Sequence, residues 1–173
     1  MIPTEDEYSA WNNAAKELIP SSIRHIARDV LDPNFNAAKI AVQAQQKKTR
    51  IKTLLLNQSF VSGIGNIYAD EALWEAKING MTPANKISAE KLEALFLAVQ
   101  NVMRRSIKAG GTSFDSLYVN VNGSSGYFSR ELNAYGRAGQ PCKRCTTLLV
   151  REPFMGRSSC FCPKCQSPEI IQQ

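Results

Sequence analysis

A mainly α-helical body followed by a small β-hairpin braced through cysteines is the fold class this sequence predicts. Three observations predict it. Apolar residues recur at three- and four-residue steps in separate stretches before residue 110. That periodicity stops after Gly110-Gly111. Beyond Pro141, four cysteines fall into two C-x-x-C pairs around a segment without helical period.

The 173 residues suffice for one ordinary domain, or for a helical domain with a small metal-stapled appendage. A hydrophobic share of 43% and a charged share of 21% are those of a globular chain, which excludes wholesale disorder. No run approaches the roughly 18 uninterrupted apolar residues of a membrane span.

Residues 1–22 read as a leader, or as the remnant of a preceding domain or linker. They set Tyr8 and Trp11 in polar surroundings and carry Lys16 against Glu5, Asp6, Glu7 and Glu17. The start is acidic and has no apolar h-region, so it is not a secretory signal, and a cytoplasmic location is expected. The rest of the chain is therefore more basic than the net charge of +6 suggests. A basic body suits a polyanionic partner such as nucleic acid, although charge alone fits many other proteins.

The first helix is expected from Asn36 to about Asn57, with Ala37, Ile40, Ala41, Ala44, Ile51, Leu54 and Leu55 on one face. Lys47, Lys48, Arg50 and Lys52 spread around it, either as a solvated face or as phosphate contacts. Gly63 and Gly65 then mark a tight turn, and Asn66 is a suitable N-cap for a helix from Ile67 to about Lys77. That helix would turn Ala69, Leu73 and Ala76 inward and hold Asp70 and Glu71 near its positive end. A third helix begins after Ser88 and ends at Gly110-Gly111. Its stripe of Leu92, Leu95, Phe96, Val99, Val102, Met103 and Ile107 reads as core. Residues 112–127 are rich in Ser, Asn and Gly around a β-prone run at 117–121, with a turn at Asn122-Gly123. His25, the sole histidine, reads as structural.

The strongest motif is Cys142-Lys-Arg-Cys145, 16 residues, then Cys162-Pro-Lys-Cys165. Two such knuckles present four thiolates tetrahedrally to Zn²⁺, with the intervening residues folded back as a hairpin. Two disulfides are the competing reading, disfavoured by the reducing compartment expected here. One structural zinc ion follows, supplying most of the local folding energy. Cys160 has the wrong spacing to replace Cys162 and reads as a free thiol on the hairpin.

At the hairpin tip, Gly156 followed by Arg157 aims a guanidinium outward from a rigid support. Such a group suits bidentate phosphate contact, or is one more surface arginine. Gly65-Asn66 at a helix start offers backbone N–H groups to an anion. Asn66 itself could cap the helix, donate to a phosphate, or do both.

The run Asn57 to Trp74 resembles the helix–two-turns–helix signature of the formamidopyrimidine-DNA glycosylase and endonuclease VIII family. Gly110-Gly-Thr-Ser-Phe114, Gly126-Tyr-Phe-Ser-Arg-Glu-Leu132 and Ala134-Tyr-Gly-Arg137 are similar to segments that follow it there, and Cys142 to Gln166 resembles that family's zinc finger. The details favour the formamidopyrimidine branch. The resemblance implies a helical DNA-binding domain over 23–136 and a four-cysteine zinc finger over 137–173. It also implies that Asn66 and Arg157 grip phosphates beside a flipped-out nucleotide, with Gly65 and Tyr135 nearby. Residues 112–126 would match the loop over an extruded oxidised purine, with Ser124 where some relatives carry lysine.

Family members open on a catalytic proline followed by glutamate. Here Pro3 is internal, between Ile2 and Thr4. No catalytic residue is therefore assigned, and the chain is expected to be a C-terminal segment, monomeric, that binds damaged double-stranded DNA and zinc without catalysing. The competing readings are a stand-alone zinc-finger nucleic-acid adaptor and an enzyme with another nucleophile such as Lys52. The last is disfavoured because no lysine sits in an obviously apolar, pKa-depressing context.

Overall fold

The computed structural model describes residues 26–110 and 131–168, together with the backbone of two short paired strands, β1 (Tyr8–Ala10) and β2 (Leu18–Pro20). These strands fall where the sequence suggests only a leader. His25, the β-prone run at 117–121, the Asn122-Gly123 turn and Ser124 lie outside the described residues.

The helix expected over residues 36–57 is two helices, α1 (Ala37–Gln45) and α2 (Ile51–Leu56). Tertiary pairing breaks it. The carbonyls of Lys47 and Thr49 accept from the N–H groups of Asn85 and Ala84 instead of continuing a helical ladder. The Asn36 side chain caps α1 by accepting from the Lys39 N–H. No side chain caps α2. Its first N–H groups are satisfied by the incoming loop, Ile51 donating to the Thr82 carbonyl at 2.8 Å and Lys52 to Gly80 at 3.1 Å.

The turn after α2 needs its glycine. Gly63 has φ +90, and a Cβ there would fall 2.4 Å from Asp29 Oδ2. The chain then enters α3 (Asn66–Ala76), which ends on Lys77 in the left-handed conformation. α4 (Ala89–Lys108) is capped by Ser88, whose hydroxyl accepts from the Lys91 N–H.

α4 lies against both α1 and α3. Leu92, Leu95, Phe96, Val99, Val102 and Met103 are buried as expected, and Phe35 tilts against Phe96 with ring centroids 6.2 Å apart. Ile107, expected inward with them, is 67% exposed in the last turn of α4, beyond the reach of the core. Among the described residues no helix is long and apolar enough to cross a membrane.

The C-terminal part is an antiparallel hairpin of β3 (Val150–Phe154) and β4 (Arg157–Phe161). Its two-residue turn has φ 47 at Met155 and φ 74 at Gly156. Two successive positive φ values match the right-handed twist of the flanking strands. The hairpin packs β4 on α3, and a second hydrophobic cluster of Trp74, Ala134, Cys142, Leu149 and Cys162 forms beside it.

Candidate metal centre and nucleic-acid interface

Cys142, Cys145, Cys162 and Cys165 bring their sulfurs within 4.8 Å of one another. Cys145 Sγ and Cys162 Sγ are 3.5 Å apart. Four thiolates at about 2.3 Å from a tetrahedral Zn²⁺ would lie roughly 3.8 Å from each other, so the donor set fits one such ion. The thiols alone are in conflict. Burial raises Cys142, but the N–H groups of Arg144 and Cys145 and the Trp74 indole outweigh it and bring it down to about 6. Burial, then the thiols of Cys145 and Cys162, push Cys165 up to about 12. A divalent cation held by the four would favour thiolate at each of them. Cys160 is outside the group, as its spacing predicts, and is buried in β4.

The two knuckles are anchored to the helices through a residue sequence reasoning missed. Gln166 is 1% exposed. Its Oε1 accepts from the Cys162 N–H at 2.9 Å and its Nε2 donates to the Ile78 carbonyl at 3.0 Å. Asn79 Nδ2 donates to the Gln166 carbonyl at 2.9 Å.

The hairpin meets α3 through a buried polar network. Lys52, read from sequence as one of a spread of exposed bases, is 0% exposed. Its ammonium donates to Asp70 Oδ1 at 2.6 Å and to the Ser158 carbonyl at 2.9 Å, and stands 5.0 Å from the Phe154 ring centroid. Asp70 Oδ2 accepts from the Cys160 N–H at 3.0 Å. Burial, only partly offset by Asp70, holds the Lys52 ammonium below its ordinary range, and burial likewise lifts the Asp70 carboxyl above its own. A lysine in a pKa-depressing setting therefore does exist, contrary to the sequence reading. It is sealed by its partners rather than open to a substrate.

Asp70 and Glu71, expected near the positive N-terminal end of the helix, are each 1% exposed. Glu71 accepts from three successive N–H groups, of Asn133, Ala134 and Tyr135, at 2.7–2.8 Å. That clasp fixes the backbone of Tyr135, which packs half-buried against the helical core.

Asn66 is the first residue of α3, not its N-cap; Gly65 takes the cap position, without a side-chain bond. The Asn66 amide is engaged elsewhere, Nδ2 donating to the Ser158 carbonyl at 3.0 Å. Its Oδ1 is buried without a hydrogen-bond partner among the described residues. A Cβ on Gly65 would meet nothing within 4 Å, so the space at the helix start is open. Ser158 is the neighbour of Arg157, whose side chain is exposed at the start of β4. The start of α3 and the base of the hairpin tip are thus joined through one carbonyl shared by Lys52 and Asn66.

A helical domain carrying a glycine-rich turn, followed by a four-thiolate finger, defines a helix–two-turns–helix protein with a zinc finger. The description "Formamidopyrimidine-DNA glycosylase H2TH domain" matches residues 26–117, and "Zinc finger found in FPG and IleRS" matches residues 139–168. The chain belongs to the formamidopyrimidine-DNA glycosylase family. It is 50% identical over 166 residues to formamidopyrimidine-DNA glycosylase of Leifsonia xyli subsp. xyli, covering 96% of this chain and 56% of that protein. It is 55% identical over 148 residues to that of Acidothermus cellulolyticus, covering 86% and 52%. Among solved structures, MutM (Fpg) from Thermus thermophilus superposes with a TM-score of 0.77 at 31% identity, over 83% of this chain and 55% of that one. Lactococcus lactis Fpg in complex with abasic-site DNA gives 0.77 at 30% identity, over 87% and 57%. The chain spans about half the length of the curated relatives it matches.

Proposed function

We propose that this chain grips the backbone of damaged double-stranded DNA, as the binding portion of a base-excision repair glycosylase/lyase for oxidised purines. One observation carries the reading: the 3.0 Å bond from Asn66 Nδ2 to the Ser158 carbonyl, which ties the head of α3 to the strand bearing Arg157. An amide on a helix start and a guanidinium on a metal-braced hairpin then face one phosphate run. The nature of the DNA rests on relatives, since Lactococcus lactis Fpg has been solved with Fapy-dG and abasic-site DNA and MutM with carbocyclic 8-oxo-G DNA. Zinc, when bound, supplies only bracing here. In this reading residues 23–136 are the DNA-binding domain and 137–173 the finger, with Gly65 and Tyr135 as supporting contacts.

The chain itself is proposed not to catalyse. Lys52, the buried lysine among the described residues, has its ammonium occupied by Asp70 and Ser158. Fluorescence anisotropy on a duplex with an abasic-site analogue tests the grip. Arg157→Ala is expected to weaken binding by roughly ten-fold or more on every sequence, from loss of a charged hydrogen bond. The slope of log affinity against log salt should fall by about 1. Affinity within two-fold of the parent would remove Arg157 from the interface. Borohydride with abasic DNA should trap no adduct at this chain's mass; an adduct would overturn the non-catalytic part alone.

A further inference from the structure

Trp74 lies at the end of α3, 8% exposed, in the small cluster with Ala134, Cys142, Leu149 and Cys162. A buried indole N–H needs an acceptor. Here the acceptor is Cys142 Sγ, at 3.4 Å. Arg144, inside the same Cys142–Cys145 knuckle, covers the ring, its guanidinium carbon 3.7 Å from the ring centroid. That guanidinium also donates to the carbonyls of Trp74 and Glu75. These are carbonyls of the last turn of α3, where positive charge is favoured. The ring is therefore held at one face by Arg144 and at its N–H edge by Cys142, one of the four clustered sulfurs.

We propose that Trp74 is an outer-sphere member of the zinc centre, donating its indole N–H to the Cys142 thiolate with Arg144 fixing the ring. The bond holds the Cys142 sulfur in a fixed place against α3, so losing the N–H would loosen one of the four ligands. Outer-shell partners of metal ligands typically matter at this level, changing retention by roughly 10–100-fold. The bond joins the Cys142 knuckle to α3, whose other end bears Asn66. The inference concerns metal retention and stands or falls without DNA binding.

The test compares the full zinc-loaded chain with Trp74→Phe, which keeps an aromatic ring and removes the N–H. Zinc transfer to an excess of a chromogenic chelator should be roughly ten-fold faster in the variant. The thiolate-to-metal charge-transfer band of the cobalt-substituted protein should shift. Transfer within two-fold of the parent, with an unmoved band, overturns the proposal. If the variant fails to fold, the parent chain decides. Its Trp74 indole N–H resonance, distinguished from that of Trp11 by Trp11→Phe, should move downfield and exchange more slowly on zinc loading. A resonance indifferent to zinc overturns the proposal equally.

Discussion

Stripping zinc from the full chain with a strong chelator is expected to unfold residues 137–166 while the helical far-UV signal is largely kept. The apolar cluster on the finger side is small, built from Trp74, Ala134, Cys142, Leu149 and Cys162, and two of those five are themselves metal ligands. Structural zinc sites supply an apparent free energy of roughly 10–16 kcal/mol near neutral pH, far more than such a cluster could yield. The main core is different. Its buried residues come from the helices and their connections, with Leu132 the sole member beyond α4 among the described residues. Losing the finger returns the Lys52–Asp70 pair to water instead of leaving it dry and unpaired, so the helices need not follow. Circular dichroism and the exchange of finger amides, followed during chelation, check this. Helical signal lost in step with the finger would show a single cooperative unit.

Lys52→Met is expected to lower stability by about 3–5 kcal/mol, because it leaves the Asp70 carboxylate buried without its cation. For a domain of this size that is a fall of roughly 10 °C or more in the thermal midpoint. The pH dependence gives a second check. In the parent, burial raises the Asp70 carboxyl above its ordinary value of 3.8, and Lys52 pulls it back. Without Lys52 it rises further. A carboxyl raised in the folded state contributes stability that is fully present below its unfolded value and is lost as pH rises through its folded value. The gap between variant and parent should therefore be widest at neutral pH and narrow on acidification. A gap that stays constant would mean that Asp70 is not the group left stranded.

Much of this architecture is legible in the residues, and what is not has identifiable causes. The four ligands are visible because two C-x-x-C knuckles leave few alternatives. The buried stripe of α4 and the Gly156 turn follow from local periodicity and backbone freedom. Lys52 is hidden because a base beside apolar residues reads as solvated. Its signal is the shortness of α2, in which Ile51, Lys52, Leu54 and Leu55 are all buried, leaving no polar face wide enough for a lysine. Asp70 and Glu71 sit in a run of Ala69, Ala72, Leu73 and Trp74 that is buried nearly all round. Acids there need partners, and those partners come from residues 133–135 and 160, too distant in sequence for any local rule to find. The one-residue displacement of Asn66 from cap to first helical position has the same origin, since its amide is drawn to the Ser158 carbonyl across 92 residues. The split of the first helix follows from strand-like bonds to Ala84 and Asn85.

The convergence of Asn66 and Arg157 on one DNA backbone can be read with duplexes in which single phosphates are replaced by neutral methylphosphonates. For the parent chain, affinity should drop at a small group of adjacent phosphates, and the drop at those positions should shrink in both Asn66→Ala and Arg157→Ala. If the two substitutions instead silence phosphates on unrelated parts of the duplex, or no single phosphate matters, the two side chains do not share a backbone.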